Sequence, residues 1–168
     1  MQRSAEPKTR GFHFGFRGRS KSLFPSAKRV LVPVTGSSMD HRALELASGI
    51  VKFNRGSLYI AYIIEVPREL PLDAPVDAEA SVAEAALADM KAFCTRQKCE
   101  AFTELLQVRQ VGPAVVNETA ERDADLVIIP MDHQRRYGEF TLGDAVPYVL
   151  QHAPCAVLVM REPMALDS

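Results

Sequence analysis

Asp125-Leu-Val-Ile-Ile-Pro130, through Gly143-Asp144, to Cys155-Ala-Val-Leu-Val-Met160 is the stretch that decides the fold. Leu126 to Ile129 and Ala156 to Met160 are short, continuous apolar runs rich in β-branched residues, the composition of strands buried on both faces of a parallel sheet. Between them, Met131 to Thr141 is polar and without period. Helical spacing returns at Ala145, Val149 and Leu150. Gly143-Asp144, just ahead, has the chemistry of a helix start, with Asp144 at the N-cap. The stretch predicts strand, loop, helix, strand.

The same alternation extends back to Arg29. Arg29 to Val34 predicts a strand, and Thr35-Gly-Ser-Ser-Met39 turns into a helix carrying Ala43, Leu46, Ala47 and Ile50 on one face. Ser37-x-x-Asp40 has the spacing of a capping box, with Asp in place of the usual Glu or Gln. Leu58 to Glu65 predicts a second strand, and Pro67 to Pro75 a loop over the sheet edge. Asp77 to Cys99 predicts the longest helix, with Val82, Ala86, Met90 and Phe93 as its apolar stripe. Phe102 to Val108 predicts a third strand. Gly112-Pro113 opens a third helix with proline in the first turn, where its missing N-H costs little, and with Val115, Val116, Thr119 and Ala120 inward. Five strands alternating with four helices define an α/β chain: an open parallel sheet, right-handed crossovers, helices on both faces.

The run from Asp125 to Arg161, with Val111-Gly112-Pro113 and Ala120 to Asp125 before it, resembles the C-terminal half of the universal stress protein family. Pro33-Val-Thr-Gly-Ser37 is similar to that family's opening, Val-Pro-x-Asp-Gly-Ser before a helix rich in Ala and Leu. The resemblance covers roughly Lys28 to Arg161. It implies a Rossmann-like sheet of strand order 3-2-1-4-5, a domain over residues 28–162 between an arm of residues 1–27 and a tail of residues 163–168, and a homodimer paired through the fifth strand. In that order the first and fourth strands are neighbours whose connections leave in opposite directions. A ligand crevice is then expected between the loops at Thr35 to Ser38 and Pro130 to Gly143.

ATP-binding members of that family carry Gly-x-x-Gly, nine residues, then Gly-Ser or Gly-Thr between the fourth strand and fourth helix. On that frame Pro130 and His133 stand where the two glycines do, Gly143 is kept, and Asp144 replaces the hydroxyl residue. The positions the resemblance implies for a nucleotide are Pro33, Val34, Thr35, Ile63, Pro130, Met131, His133, Gly143, Asp144 and Ala145. Thr35 stands where the family has the aspartate on the adenine side. Pro130 has no N-H to offer a phosphate, and His133 carries a side chain where glycine lets backbone donors approach an anion. Asp144 is expected to take the N-terminal donors of its helix for itself and to repel a phosphate. The implied function is a regulatory or binding module of the stress response, acting through an unidentified protein partner, with weak or absent ATP binding and no resident cofactor. The alternative is an ATP-binding member in which Arg135 and Arg136 grip the phosphate oxygens.

Composition bounds the rest. A chain of 168 residues, 47% hydrophobic and 24% charged, has the length and make-up of one domain with a single sizeable core. No apolar run approaches a membrane span and no secretory h-region is present, so a soluble cytoplasmic protein is expected. Cys94, Cys99 and Cys155 form no C-x-x-C pair and leave one over in any pairing, so free thiols are expected, and no zinc site. Residues 1 to 29 hold eight basic side chains against Glu6 alone, a net of +7, and the remaining 12 basic and 20 acidic residues carry −8. Within the arm, Gly11-Phe-His-Phe-Gly-Phe-Arg-Gly-Arg19 interleaves Phe12, Phe14 and Phe16 with glycine and cations. That pattern suits contact with single-stranded nucleic acid or an anionic membrane, and an Arg-rich, acid-poor start also suits a transit peptide. The plainer reading is a flexible, solvated extension.

Catalytic chemistry is not legible. His41, His133 and His152 lie near loop or helix ends, no Ser-His-Asp or paired-carboxylate spacing occurs, and Asp132 with His133 is the titratable pair of the crevice loop. An ATP-pyrophosphatase reading of Gly36-Ser-Ser-Met-Asp40 lacks the glycines that loop needs at Ser37 and Ser38. A flavodoxin reading of Thr35-Gly-Ser-Ser38 lacks a tryptophan and an isoalloxazine-stacking loop.

Overall fold

Strand β1 (Arg29–Val34) lies at the centre of the molecule and is followed in the chain by α1 (Asp40–Asn54), β2 (Ser57–Glu65), α2 (Asp77–Arg96), β3 (Ala101–Val108) and α3 (Val111–Glu121). The second half comprises β4 (Leu126–Met131), two short strands β5 (Arg135–Arg136) and β6 (Glu139–Phe140), α4 (Ala145–His152) and β7 (Ala156–Arg161). This computed structural model describes residues 27–133, 135–136 and 139–163, and of residues 135, 136 and 139 the backbone alone. Residues 1–26, with Phe12, Phe14 and Phe16, lie outside the described residues, as do residues 164–168 and the side chains of Arg135 and Arg136.

The five long strands form one parallel sheet in the order β3-β2-β1-β4-β7, the expected 3-2-1-4-5. Side chains alternate across it with period 2, as the pleat requires. Val30, Val32, Val34, Leu58, Ile60, Leu126 and Ile128 face α1 and α2. Leu31, Ala61, Ile63, Val127 and Ile129 face the opposite way, where Val115 of α3 and Val146 and Val149 of α4 cover them. The sheet is thus buried on both faces, and its central strands read as unbroken apolar runs for that reason. Ala27, the last residue of the expected arm, is buried in the first of these clusters, and Asn54 donates to its carbonyl at 3.0 Å. Among the described residues no helix is long and apolar enough to cross a membrane.

The expected helix faces shift where polar residues lie on the buried stripe. In α1 the buried set is Asp40, Ala43, Leu44, Ala47, Ser48 and Val51, while Leu46 is exposed. In α2 it is Ala83, Leu87, Met90 and Cys94, with Ala86 and Phe93 at its edge and Val82 exposed. In α3 Glu118 is buried and Ala120 is exposed. In α4 Val146 takes the inward place expected of Leu150. A hydrophobic count cannot anticipate Asp40, Ser48 or Glu118 turned inward. Helix α2 stops at Arg96, not Cys99, because Lys98 adopts a left-handed conformation that breaks the helical repeat. The polar stretch expected to be structureless after β4 contains the antiparallel β5–β6 ribbon.

Candidate functional site

The ladders on either side of β1 differ in length. With β2 it pairs along all six residues, from Arg29↔Ser57 to Val34↔Tyr62, but with β4 only at Val30↔Leu126 and Leu31↔Val127. Beyond Leu31 the two central strands diverge, and Pro33 and Pro130 have no N-H with which to extend a ladder. The divergence lies at the carboxyl ends of neighbouring strands whose connections run to opposite faces, where open α/β sheets hold ligands. A cavity of about 460 Å³ opens there, floored by Pro33 and Pro130 and walled by Gln110 to Pro113 at the start of α3 and Gly143 to Val146 at the start of α4.

The β1–α1 turn is built around one carboxylate. Gly36 takes φ +84°, a conformation glycine adopts without strain. This aims the N-H groups of Gly36 and Ser37 at Asp40 Oδ2, at 2.9 and 3.0 Å, and Ser37 Oγ in turn accepts the Met39 N-H at 3.1 Å. The Ser37-x-x-Asp40 spacing therefore produces reciprocal bonding of the capping-box kind, ahead of the first helical residue. Asp40 is fully buried and its Oδ1 has no partner. Burial pushes its carboxyl up to about 6, against the lowering effect of the Gly36, Ser37 and Thr35 backbone groups, and the nearby charge of Asp132 adds to the rise.

Asp132 joins the two loops. Its Oδ1 accepts the Ser37 hydroxyl at 2.7 Å and the Ser38 hydroxyl at 3.0 Å, bridging the β1 and β4 sides of the crevice. The expected Asp132–His133 pair is thereby divided. His133 donates its N-H to Glu162 Oε1 at 2.9 Å, and its ring stacks on Phe140 at 5.2 Å, outside the cavity lining. Further along, Gly143 takes φ +66° and donates to Thr141 Oγ1 at 3.1 Å. Asp144 stands at the N-cap of α4 as expected, but makes no side-chain cap bond. Its backbone is already helical, at φ −93° and ψ −30°, and the third helical residue is Pro147, which has no N-H to give. The expectation that Asp144 consumes the donors of α4 is thus corrected; what it brings to the crevice is charge.

Of the implied nucleotide positions, Pro33, Thr35, Pro130, Met131, Gly143, Asp144 and Ala145 come together at the cavity. Val34 is enclosed in the core, and Ile63 lies in the opposite-face cluster and borders a shallower depression with Thr35. Sequence reasoning missed the roles of Ser38, Glu65 and Gln110, and the bonds that Asp132 accepts from Ser37 and Ser38. The carboxylates lining the cavity are Glu65, Asp132 and Asp144, and among the described residues no Lys or Arg lines it. The histidines do not gather either: His41 pairs with Asp89 at 3.2 Å on the α1–α2 surface, and His152 stacks on Tyr148 at 4.1 Å. Among the described residues no group of three His, Cys, Asp or Glu side chains is placed to hold a metal ion.

Comparison with known proteins agrees with this architecture. A universal stress protein of Methanocaldococcus jannaschii is 23% identical over 142 residues, covering 81% of this chain and 83% of that protein. Among solved structures, the universal stress protein UspA from Lactobacillus plantarum superposes with a TM-score of 0.67 at 23% identity, over 81% of this chain and 99% of its own. The universal stress protein from Archaeoglobus fulgidus in complex with dAMP gives 0.62 at 16% identity, over 78% and 95%. The family model of the universal stress proteins matches residues 26–161. The chain belongs to the universal stress protein family.

Proposed function

We propose that this chain is a regulatory or binding module of the stress response that acts in the cytoplasm through protein contacts and binds ATP weakly or not at all. The observation that carries the reading is the charge of the crevice: Glu65, Asp132 and Asp144 line it with no described cation among them. A triphosphate needs the reverse, since cations and unpaired N-H groups hold its oxygens. The Archaeoglobus fulgidus relative is in complex with dAMP. The alternative is therefore that adenine nucleotides also enter here, with Arg135 and Arg136 neutralising the phosphate. Calorimetric titration of the full chain with ATP, and separately with AMP, decides between them. Little or no heat from ATP at millimolar concentration is expected. Micromolar ATP affinity would overturn the reading and make Arg135 and Arg136 the residues to change.

The proposal extends to assembly as a homodimer through β7. That strand pairs with β4 on one side only, and its partly buried Val157, Leu158 and Val159 continue the two cores to the sheet edge. An apolar open edge is a hazard unless it is covered. Sedimentation should give a dimer at micromolar concentration, and a monomer there would count against it. The basic arm is assigned an accessory contact with nucleic acid or an anionic membrane, which should weaken steeply as salt rises.

A further inference from the structure

Three helices of this chain end in the same way, and at one of them the motif holds two thiols. Beyond α1, α2 and α3, the residues Arg55, Lys98 and Asp123 take left-handed backbone conformations, at φ 53°, 57° and 47°. The N-H that follows each one reaches back five residues: Gly56 to the Val51 carbonyl at 2.7 Å, Cys99 to Cys94 at 2.9 Å, Ala124 to Thr119 at 2.8 Å. This is the Schellman ending, in which the two bonded residues also bring their side chains together. At α2 those side chains are Cys94 and Cys99.

The backbone bond alone holds the two Cα atoms no more than about 6.8 Å apart by standard bond lengths, within the reach of a disulfide. The Ser48 hydroxyl lies 4.0 Å from Cys94 Sγ, and the Cys99 thiol donates to the Glu100 carbonyl at 3.6 Å. The neighbouring Cys94 thiol lowers the Cys99 thiol against the effect of burial, with help from Ser48 and the Lys52 charge, while the same pairing and burial hold Cys94 up. Cys94 is fully enclosed and Cys99 keeps 7% of its surface, so an oxidant meets Cys99 first.

We propose that Cys94 and Cys99 form a reversible oxidation site for hydrogen peroxide, closing to an intramolecular disulfide between the end of α2 and the start of β3. The Cys99 thiolate attacks one peroxide oxygen: an S–O bond forms, the O–O bond breaks, and the departing hydroxide takes up the proton released by the thiol and leaves as water. The Cys94 sulfur then attacks the Cys99 sulfur. The S–S bond forms, the S–O bond breaks, and the hydroxyl leaves with the Cys94 proton as a second water. Two thiols lose two hydrogens and one peroxide is reduced to two waters, and a dithiol reverses the change by exchange.

Intact-mass measurement and tryptic mapping of the full chain after brief peroxide treatment test this. Arg96 and Lys98 lie between the cysteines, so trypsin separates them unless the disulfide holds the fragments together. The expected result is loss of two hydrogens from the chain, a linked Cys94–Cys99 fragment, and reversal by dithiothreitol. Cys155→Ser, at the half-buried third cysteine, should behave identically. Cys94→Ala should halt at a Cys99 sulfenic acid captured by dimedone, but the mapping of the unmodified chain decides the matter if that variant does not fold. Added oxygen on Cys99 without linkage, linkage through Cys155, or no reaction at either residue overturns the proposal.

Discussion

The two helices that begin at the crevice start in different ways. α1 follows a turn whose donors are filled from within: Asp40 Oδ2 takes the N-H groups of Gly36 and Ser37, and Ser37 Oγ takes that of Met39. α4 begins at Asp144 with no side-chain cap, and Pro147 leaves its third position without a donor. One end is closed to an anion by bonding and the other by charge. The presence of an aspartate near a helix start therefore does not say which obstacle a phosphate meets; the backbone angles and the position of the donors do.

The largest expected effect lies at the bonded end. Burial raises the Asp40 carboxyl from 3.8 to about 6. The folded chain therefore keeps a proton that the unfolded chain has already lost between those values. Stability from this group is highest below pH 3.8, falls as pH rises, and levels off above about 6. Two units correspond to roughly 3 kcal/mol. Asp40→Asn preserves an acceptor for the Gly36 and Ser37 donors and removes the charge. Relative to that variant, the natural chain should lose up to roughly 3 kcal/mol between about pH 4 and pH 7. Urea unfolding of both proteins across that range measures it, and a difference that stays constant with pH would show that Asp40 is not the titrating group.

At the charged end, removing negative charge should admit phosphate without rebuilding the backbone. Asp132→Asn with Asp144→Ser should tighten ATP binding by about 100-fold over the natural chain, tenfold for each roughly 1.4 kcal/mol of repulsion removed. Adding Pro130→Gly supplies one backbone N-H and a further gain, whereas His133→Gly should add nothing, since His133 is engaged with Phe140 and Glu162 away from the cavity. Calorimetry on the series checks both statements. No gain from the double change would mean that geometry, not charge, excludes the triphosphate.

The fold was legible because its central strands are buried on both faces: Leu126 to Ile129 reads as one unbroken apolar run, and Ala156 to Met160, half-buried at the sheet edge, repeats that run after an intervening helix. The crevice was legible as a place, since strand order alone puts Thr35 and Pro130 on its two sides. Its wiring was not. Asp132 bonds to serines some 95 residues away in sequence, and no local pattern specifies a tertiary hydrogen bond of that range. The helix ends at Arg55, Lys98 and Asp123 were hidden for a different reason, because left-handed caps are read from glycine and these positions carry charged side chains. The β5–β6 ribbon, two residues a side, is too short to show an alternation.

The finest test separates the two serines that meet Asp132. Ser37 donates to Asp132 at 2.7 Å in a half-buried setting and also accepts the Met39 N-H, so it belongs both to the turn and to the link between loops. Ser38 donates at 3.0 Å from an exposed position and has no second role among the described bonds. Bonds to charged groups contribute about 1.5 to 3 kcal/mol when shielded and far less in water. Ser37→Ala should therefore cost about 1.5 kcal/mol and Ser38→Ala under about 0.5, shifts of roughly 3 to 6 °C and at most 1 to 2 °C in a domain of this size. A double-mutant cycle adds the deciding comparison: Ser37→Ala with Asp132→Asn should show about 1 kcal/mol of coupling, and Ser38→Ala with Asp132→Asn almost none. Equal coupling for both serines would mean that Asp132 is held by the pair as a unit, and that the two loops are joined through a surface network, not through the turn of α1.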